Sequence, residues 1–367
     1  MKQPYILYDS QMFDLQEFGG ISRYFCEIIS RLNISYDIAV RYSKNHYLSH
    51  SKLGKHLRKI PDFIFEHYEQ KLYQKNRKFT NKMLQKPVHY VLHPTYYDPY
   101  FLKYIGNNPF VITVHDMIYE LFPQHFNDSE QIIRQKKELI TKASRIIAIS
   151  ENTKRDIVNI LNIDPQKIDV IYHSTSMQAP SGKLKLSLPE KYILFIGDRV
   201  TYKNFQRLLE AFTSIAKADK ALHLICTGKP FNESEIQRIQ HLDIERQIIQ
   251  IPIDDNNLNE LYSRALLFVY PSLYEGFGIP ILEAYVCDCP VALSNASCFP
   301  EIAGNAGAYF DPYSVESIAH TISEYIYDEN KRQILVEAGK ARLKLYSWEK
   351  ATTETEKVYL HLLNQNK

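Results

Sequence analysis

Pro271-Ser272-Leu273-Tyr274-Glu275-Gly276-Phe277-Gly278-Ile279-Pro280-Ile281-Leu282-Glu283 runs from an expected strand into an expected helix. Before it, Leu266-Leu267-Phe268-Val269-Tyr270 is an unbroken apolar run of strand length, the pattern of a buried parallel strand. Pro271 opens a loop, Gly276 and Gly278 flank Phe277, and an apolar helix start follows. Strand, glycine loop and helix in that order aim backbone N–H groups and a helix N-terminus at an anion. Glu275 lies in the loop, and Glu283 lies about a turn into the helix. Neither carboxylate suits a phosphate, but both suit hydroxyls beside one, which points to a sugar or ribose. An acidic helix start favoured by the macrodipole accounts for the same residues without a ligand.

Glu275 and Glu283, with seven residues between them in the frame PSLYEGFGIPILEA, resemble the E-x7-E signature of the retaining nucleotide-sugar glycosyltransferases of family 4. Pro290-Val291-Ala292-Leu293-Ser294-Asn295 and Phe299-Pro300-Glu301-Ile302-Ala303-Gly304 match that family's next two motifs in order. The resemblance covers nearly the whole chain and is strongest over residues 190–312. It implies an α/β protein of the GT-B fold, with two Rossmann-like domains facing across a cleft. The expected acceptor-side domain is 1–175 and the donor nucleotide-sugar domain 176–347. A C-terminal helix, 348–367, is expected to pack back on the first domain.

A chain of 367 residues is too long for one ordinary core, so two domains are expected on length alone. No apolar run reaches the ~18 residues of a membrane span. The N-terminal MKQPYILYDS lacks a signal-peptide pattern, and a cytoplasmic protein is expected. Cys26, Cys226, Cys287, Cys289 and Cys298 are odd in number and mostly within apolar segments, which favours reduced, buried thiols. Cys287 and Cys289 are too close in sequence for a usual zinc pair.

Net charge is only +2, yet residues 41–90 hold twelve Lys/Arg against three Asp/Glu, interleaved with tyrosine and phenylalanine. A solvated helix face explains such a run. An anionic membrane surface is the functional alternative for residues 42–88, at the inner face of the cytoplasmic membrane. No nucleic-acid motif accompanies the basic residues, so no nucleic-acid partner is expected.

The chain opens with a strand at Tyr5–Asp9 and a paired-glycine loop, Gly19-Gly20, that starts a helix. The loop is GG rather than G-x-G-x-x-G, and no acidic residue ends the following strand, which disfavours a dinucleotide dehydrogenase. Phe110-Val111-Ile112-Thr113-Val114 reads as a strand ending in His115-Asp116, where an α/β sheet places functional groups. His93 and Tyr96 are candidate linings of an acceptor cleft. Ser150 is a plausible cap for the helix after it. Residues 174–189 read as the linker. Beyond the next strand, Asp198-Arg199-Val200-Thr201-Tyr202-Lys203-Asn204 places two cations in a strand-to-helix loop, as a pyrophosphate requires. Asp254 and Asp255 suggest a helix cap, since no D-x-D metal motif occurs.

By resemblance, the reaction is transfer of a hexose from a nucleotide-diphosphate sugar, with retention at the anomeric carbon. Arg199 and Lys203 neutralise the leaving diphosphate together with backbone amides at Gly19, Gly20, Gly276, Phe277 and Gly278. Glu283 holds the ribose, Glu275 the transferred sugar, and His115 approaches that sugar. No cofactor and no metal are implied. The Tyr-Lys-Asn loop at 202–204 resembles mannosyltransferases, so GDP-mannose is the first expected donor. The acceptor is expected to be a saccharide or lipid-linked saccharide in bacterial surface-polysaccharide (O-antigen or capsule) assembly. The alternatives are a sugar-nucleotide epimerase of the same fold and a non-catalytic sugar-nucleotide-binding subunit. Two departures from the family pattern stand out: Asp198 precedes Arg199 where the family's Arg often follows the glycine directly, and Asp288 replaces a usual glycine.

Overall fold

The computed structural model describes residues 5–180, 186–252 and 257–365. The chain divides into two compact units, Met1–His173 with Ser347–Lys367, and Ser174–Tyr346. The expected cap residues Asp254 and Asp255 lie outside the described residues, as does 181–185 of the expected linker.

Six short apolar runs make the strands of the first unit: β1 (Tyr5–Tyr8), β2 (Ser35–Ile38), β3 (Val91–His93), β4 (Val111–Val114), β5 (Arg145–Ala148) and β6 (Ile168–Val170). They form parallel sheets in the orders β2-β1-β3 and β4-β5-β6, joined by a parallel bridge between Leu92 and Phe110. β4 is buried along its whole length, as expected where helices cover both faces of a parallel sheet. Ser150 does cap the helix Glu151–Leu161: its Oγ accepts the Thr153 N–H at 3.0 Å.

The helix Asp62–Leu84 occupies the basic segment and carries three stripes. Phe65, Leu72, Phe79 and Met83 are buried, while Lys71, Lys75, Lys78 and Lys82 are exposed. Gln70, Gln74 and Arg77 recur at three- and four-residue spacing on a third stripe. The terminal helix Trp348–Gln365 belongs to this unit. Its Trp348, Ala351, Val358 and Leu362 join the core around Phe25 and Ile28. Inside that core the Tyr359 hydroxyl is hydrogen-bonded to the Tyr8 hydroxyl at 2.8 Å and to His93 Nδ1 at 2.6 Å.

The second unit is one six-stranded parallel sheet: β7 (Lys191–Phe195), β8 (Leu222–Cys226), β9 (Ile248–Gln250), β10 (Leu267–Tyr270), β11 (Val291–Ser294) and β12 (Gly307–Phe310). Its order is β12-β11-β10-β7-β8-β9. The winding direction reverses between β7 and β10, which pair directly through Leu267–Ile193 and Phe268–Leu194. In such sheets ligands bind outside the carboxyl ends of the strands at this switch point. The loops leaving β7 and β10 are the two in which the sequence concentrates cations and carboxylates. Asp288 adopts φ 55°, the left-handed conformation a glycine takes without strain, so the departure at this position leaves the turn in place.

Candidate active site

In the second unit the loop after β7 passes Gly197, whose N–H donates to Thr227 Oγ1 at 3.0 Å, and ends in a 3-10 turn, Thr201–Lys203. The Leu273 N–H in the loop after β10 donates to the Tyr202 carbonyl at 2.8 Å, which ties the two loops together. Across this tie Lys203 Nζ donates to Glu275 Oε1 at 2.5 Å. The two side chains are 17% and 14% exposed, so the pair is largely shielded yet reachable. Tyr270, at the end of β10, hydrogen-bonds Glu275 through its hydroxyl. Burial first, then the Glu275 charge, holds this phenol well above its ordinary pKa, so it stays a donor.

Ser297 fixes the backbone of the same carboxylate. Its Oγ donates to the Glu275 carbonyl at 2.6 Å and accepts the Glu275 N–H at 3.2 Å. Ser297 itself sits at φ 54°, a strained position for a non-glycine residue. Sequence reasoning passed over Ser297, because a serine between two motifs carries no periodicity; only the fold brings it to Glu275. Gly278 precedes the helix Ile279–Val286 at φ 86°, and a Cβ there would meet a Phe299 ring carbon at 3.1 Å. Glycine is therefore required on both counts. Glu283, buried on this helix, accepts from the Tyr262 hydroxyl at 3.2 Å.

Arg199 is placed differently from its expected role. Its Nε donates to Glu235 Oε1 at 2.7 Å, and its two terminal nitrogens donate to the carbonyls of Thr227 and Lys229 at 2.9 and 2.6 Å. The guanidinium lies over the Phe231 ring, 4.6 Å from its centroid, and the side chain is 4% exposed. Glu235 also accepts the Asn232 N–H in a capping box for the helix Glu233–His241. The residue expected as a diphosphate clamp thus staples the loops after β7 and β8, each of its three guanidinium nitrogens donating to a protein acceptor. The extra residue Asp198 shifts Arg199 one position along the loop, a signal present in the sequence. Lys203 remains the cation beside Glu275.

In the first unit His115 follows β4, and its Nε2 is buried without a hydrogen-bond partner among the described residues. Burial foremost, with the neighbouring His173, His93 and Lys136, holds its pKa well below the ordinary value, so the ring is neutral. Asp116 accepts the Ile118 N–H at 3.0 Å. Lys136, fully buried, donates to the Asp116 carbonyl at 2.6 Å and to Glu120 Oε2 at 2.9 Å, locking the His115-Asp116 turn. Gly19 and Gly20 open the helix Gly20–Ser30. A Cβ on Gly19 would overlap the Gln16 amide, which accepts the Ser22 N–H at 3.2 Å, whereas Gly20 faces open space. His93 does not line a cleft. It is buried between Tyr359 and Thr113, with Nε2 2.9 Å from Thr113 Oγ1, and acts as a core hydrogen-bonding residue. Tyr96, its expected companion, does line a cavity.

Two family models match the chain: one described as Glycosyltransferase Family 4 over residues 18–177, and one described as Glycosyl transferases group 1 over residues 178–342. O-antigen chain mannosyltransferase B of Escherichia coli is 28% identical over 374 residues, covering 93% of this chain and 95% of its own length. O-antigen chain mannosyltransferase RfbU of Salmonella typhimurium is 28% identical over 202 residues, 55% of this chain and 56% of its own. Among solved structures, sucrose-phosphate synthase of Thermosynechococcus elongatus superposes with a TM-score of 0.75 at 19% identity, over 99% of this chain and 100% of its own. The HepE protein of Anabaena, solved with UDP and glucose, gives 0.74 at 15% identity, over 97% of this chain and 99% of its own.

Proposed function

The chain is a glycosyltransferase of the GT-B fold, of the group 1/family 4 type, and we propose that it moves a hexose from a nucleotide-diphosphate sugar to a saccharide or lipid-linked saccharide, with retention at the anomeric carbon. Mannose from GDP-mannose is the first donor to test, because two relatives are named O-antigen chain mannosyltransferases. The assembly of such a surface polysaccharide is the proposed setting.

The observation that carries this reading is the Lys203–Glu275 pair at the carboxyl ends of β7 and β10. A leaving nucleoside diphosphate develops negative charge that must be neutralised as the glycosidic bond breaks. Lys203 supplies a cation there, assisted by the backbone N–H groups of Gly276, Phe277 and Gly278 at the start of the helix Ile279–Val286. No metal is needed in this scheme. Glu275, held by Ser297 and Tyr270, is set to accept hydrogen bonds from sugar hydroxyls and to stabilise an oxocarbenium-like centre. Glu283 is set to accept from the ribose. In the first unit, Gly20 leaves backbone open to a ligand, and the neutral His115 offers a ring nitrogen that no protein group among the described residues occupies. Arg199 acts on this scheme only by shaping the loop that carries Lys203.

The test is a thermal-shift panel of GDP-, UDP-, dTDP- and ADP-sugars in EDTA, on wild type and Lys203→Ala. A ligand well above its Kd raises the melting point. A shift with one nucleotide class, insensitive to EDTA and lost in Lys203→Ala, is the expected result. No shift with any nucleotide sugar overturns the reading. The exposed lysines of the helix Asp62–Leu84 are proposed to rest on an anionic membrane. Co-sedimentation with phosphatidylglycerol vesicles at low salt, but not with phosphatidylcholine, is the expected outcome. Among the described residues no helix is long and apolar enough to cross a membrane.

A further inference from the structure

The cavity in the first unit that Tyr96 lines draws most of its polar wall from residues outside every motif of the sequence. Beyond the carboxyl ends of β1 and β3, this cavity of about 480 Å³ opens between the helices Asp62–Leu84 and Ser129–Lys142. This lies in the ~300–1,000 Å³ range of small-molecule sites. Gln70 and Gln74, one turn apart on the first helix, line it together with Gln131 and Gln135, one turn apart on the second. Among the described residues none of these four amides is hydrogen-bonded to the protein. Other glutamines of the chain are tied inward: Gln247 donates to the carbonyls of Asp219 and Leu222, and Gln250 to that of Gly228. Four unpartnered amides around one cavity leave eight donor hydrogens and four carbonyl acceptors for a ligand, by the inventory of a primary amide.

The rest of the lining narrows the ligand. Tyr73 and Tyr96 add ring surface suited to the C–H face of a pyranose. Among the described lining residues Arg77 is the single Lys or Arg; it pairs with Asp98 at 3.0 Å and lies over the Tyr100 ring. With its charge met by Asp98, and with Asp14 also on the wall, the cavity has no surplus positive charge for a phosphate or a uronate. The floor is rigid. Asp9 accepts from the Thr95 N–H and from Gln11, and the Gln11 amide brackets the Asp98 backbone at 3.1 and 2.7 Å. A preformed floor lowers the ordering cost of binding a weakly held ligand.

We propose that this cavity is a recognition subsite for a neutral saccharide, with Gln74 and Gln135 determining its specificity. Its place in the reaction, as part of the acceptor glycan, rests on the transferase reading above. The binding of a free saccharide does not. Hydroxyls that donate and accept at once match amides that do the same, and the pairing places the polar stripe of the helix Asp62–Leu84 opposite substrate while its lysines stay outside.

The experiment is saturation-transfer NMR on the full chain with trisaccharides ending in mannose, glucose, galactose or N-acetylglucosamine, beside mannose 6-phosphate and a glucuronate-ended disaccharide. At least one neutral saccharide is expected to bind with a Kd of about 1–10 mM, and neither anionic sugar more tightly. Gln74 is exposed and Gln135 half-buried, so Gln74→Ala/Gln135→Ala is expected to keep its melting point while weakening that saccharide roughly tenfold. No neutral saccharide bound at about 10 mM, unchanged affinity in the double variant, or preference for an anionic sugar overturns the proposal. The nucleotide-sugar shift separates the two readings. A double variant that keeps this shift but loses saccharide affects the subsite alone. Saccharide binding without any nucleotide-sugar shift sinks the donor reading and leaves the subsite standing.

Discussion

Replacing Arg199 by alanine separates a buried staple from a ligand-binding cation. The substitution strips Glu235 of its counter-charge where the two side chains are 4% and 7% exposed, and it abandons the carbonyls of Thr227 and Lys229. Removing one partner of a buried ion pair costs about 3–5 kcal/mol. At about 2–4 °C per kcal/mol for a unit of this size, the second unit is expected to melt roughly 6–20 °C lower, before any ligand is added. Arg199→Lys recovers only part of this, because one ammonium cannot reproduce the planar fork to Glu235 and two carbonyls. Glu235→Ala is expected to fall in the same range, and Arg199→Met/Glu235→Leu to lie above either single variant, since neither charge is then left alone. The assay is differential scanning fluorimetry of the ligand-free proteins, repeated with the nucleotide-sugar panel. Arg199→Ala melting within about 1 °C of wild type, as an ordinary surface substitution does, while losing its nucleotide-sugar shift, would refute the staple and restore Arg199 as a diphosphate ligand.

Ser297→Ala removes the hydroxyl that holds both backbone groups of Glu275, and the transfer rate is expected to drop about tenfold with the nucleotide-sugar shift retained. Equal rates would remove Ser297 from the positioning residues. Tyr359→Phe leaves His93 Nδ1 and the Tyr8 hydroxyl without their shared partner, for about 1–3 kcal/mol in a urea melt of the first unit. Burial lowers His93 and His173 to a pKa of about 3, below the ordinary value of a histidine. The unfolded chain therefore takes up protons first, so this stability is full above about pH 6.5 and is lost as pH falls toward 3. Thermal melts from pH 7 to pH 4 check this, and His93→Gln is expected to flatten the fall. Asp14 has the opposite sign. Burial raises it to about 8, so its contribution is present below the ordinary carboxylate range and disappears as pH rises through 8. Asp14→Asn, with Ser10 and Asn76 still in reach as partners, is expected to melt higher than wild type at pH 8.5 and alike at pH 4.

Local pattern was enough for most of the elements. The run Leu266–Tyr270 became β10 because apolar residues without a polar break can only lie inside a sheet covered on both faces. The Ser150 cap formed because a side-chain oxygen within reach of the third amide needs nothing from the rest of the chain. The strand-loop-helix turns that carry Glu275, Lys203 and the two glycines around Phe277 were legible for the same reason, each being fixed by its own local sequence. The partners of His93 and Arg199 were not legible because the sequence gives chemical type and position along the chain but not what lies across from a side chain. His93 faces Tyr359, 266 positions away, and Arg199 faces Glu235, 36 positions away.

The sequence by itself therefore determined two α/β units and the strand-ended loops in which Lys203 and Glu275 lie. Those features depend on periods of two and 3.6 residues and on turn chemistry, all local. The tertiary structure alone decided which cation meets Glu275, that Ser297 anchors it, and that four glutamines from two helices share one cavity. Those facts depend on contacts closed over long loops, whose partners are chosen by the packing of the whole sheet and not by any neighbouring residue.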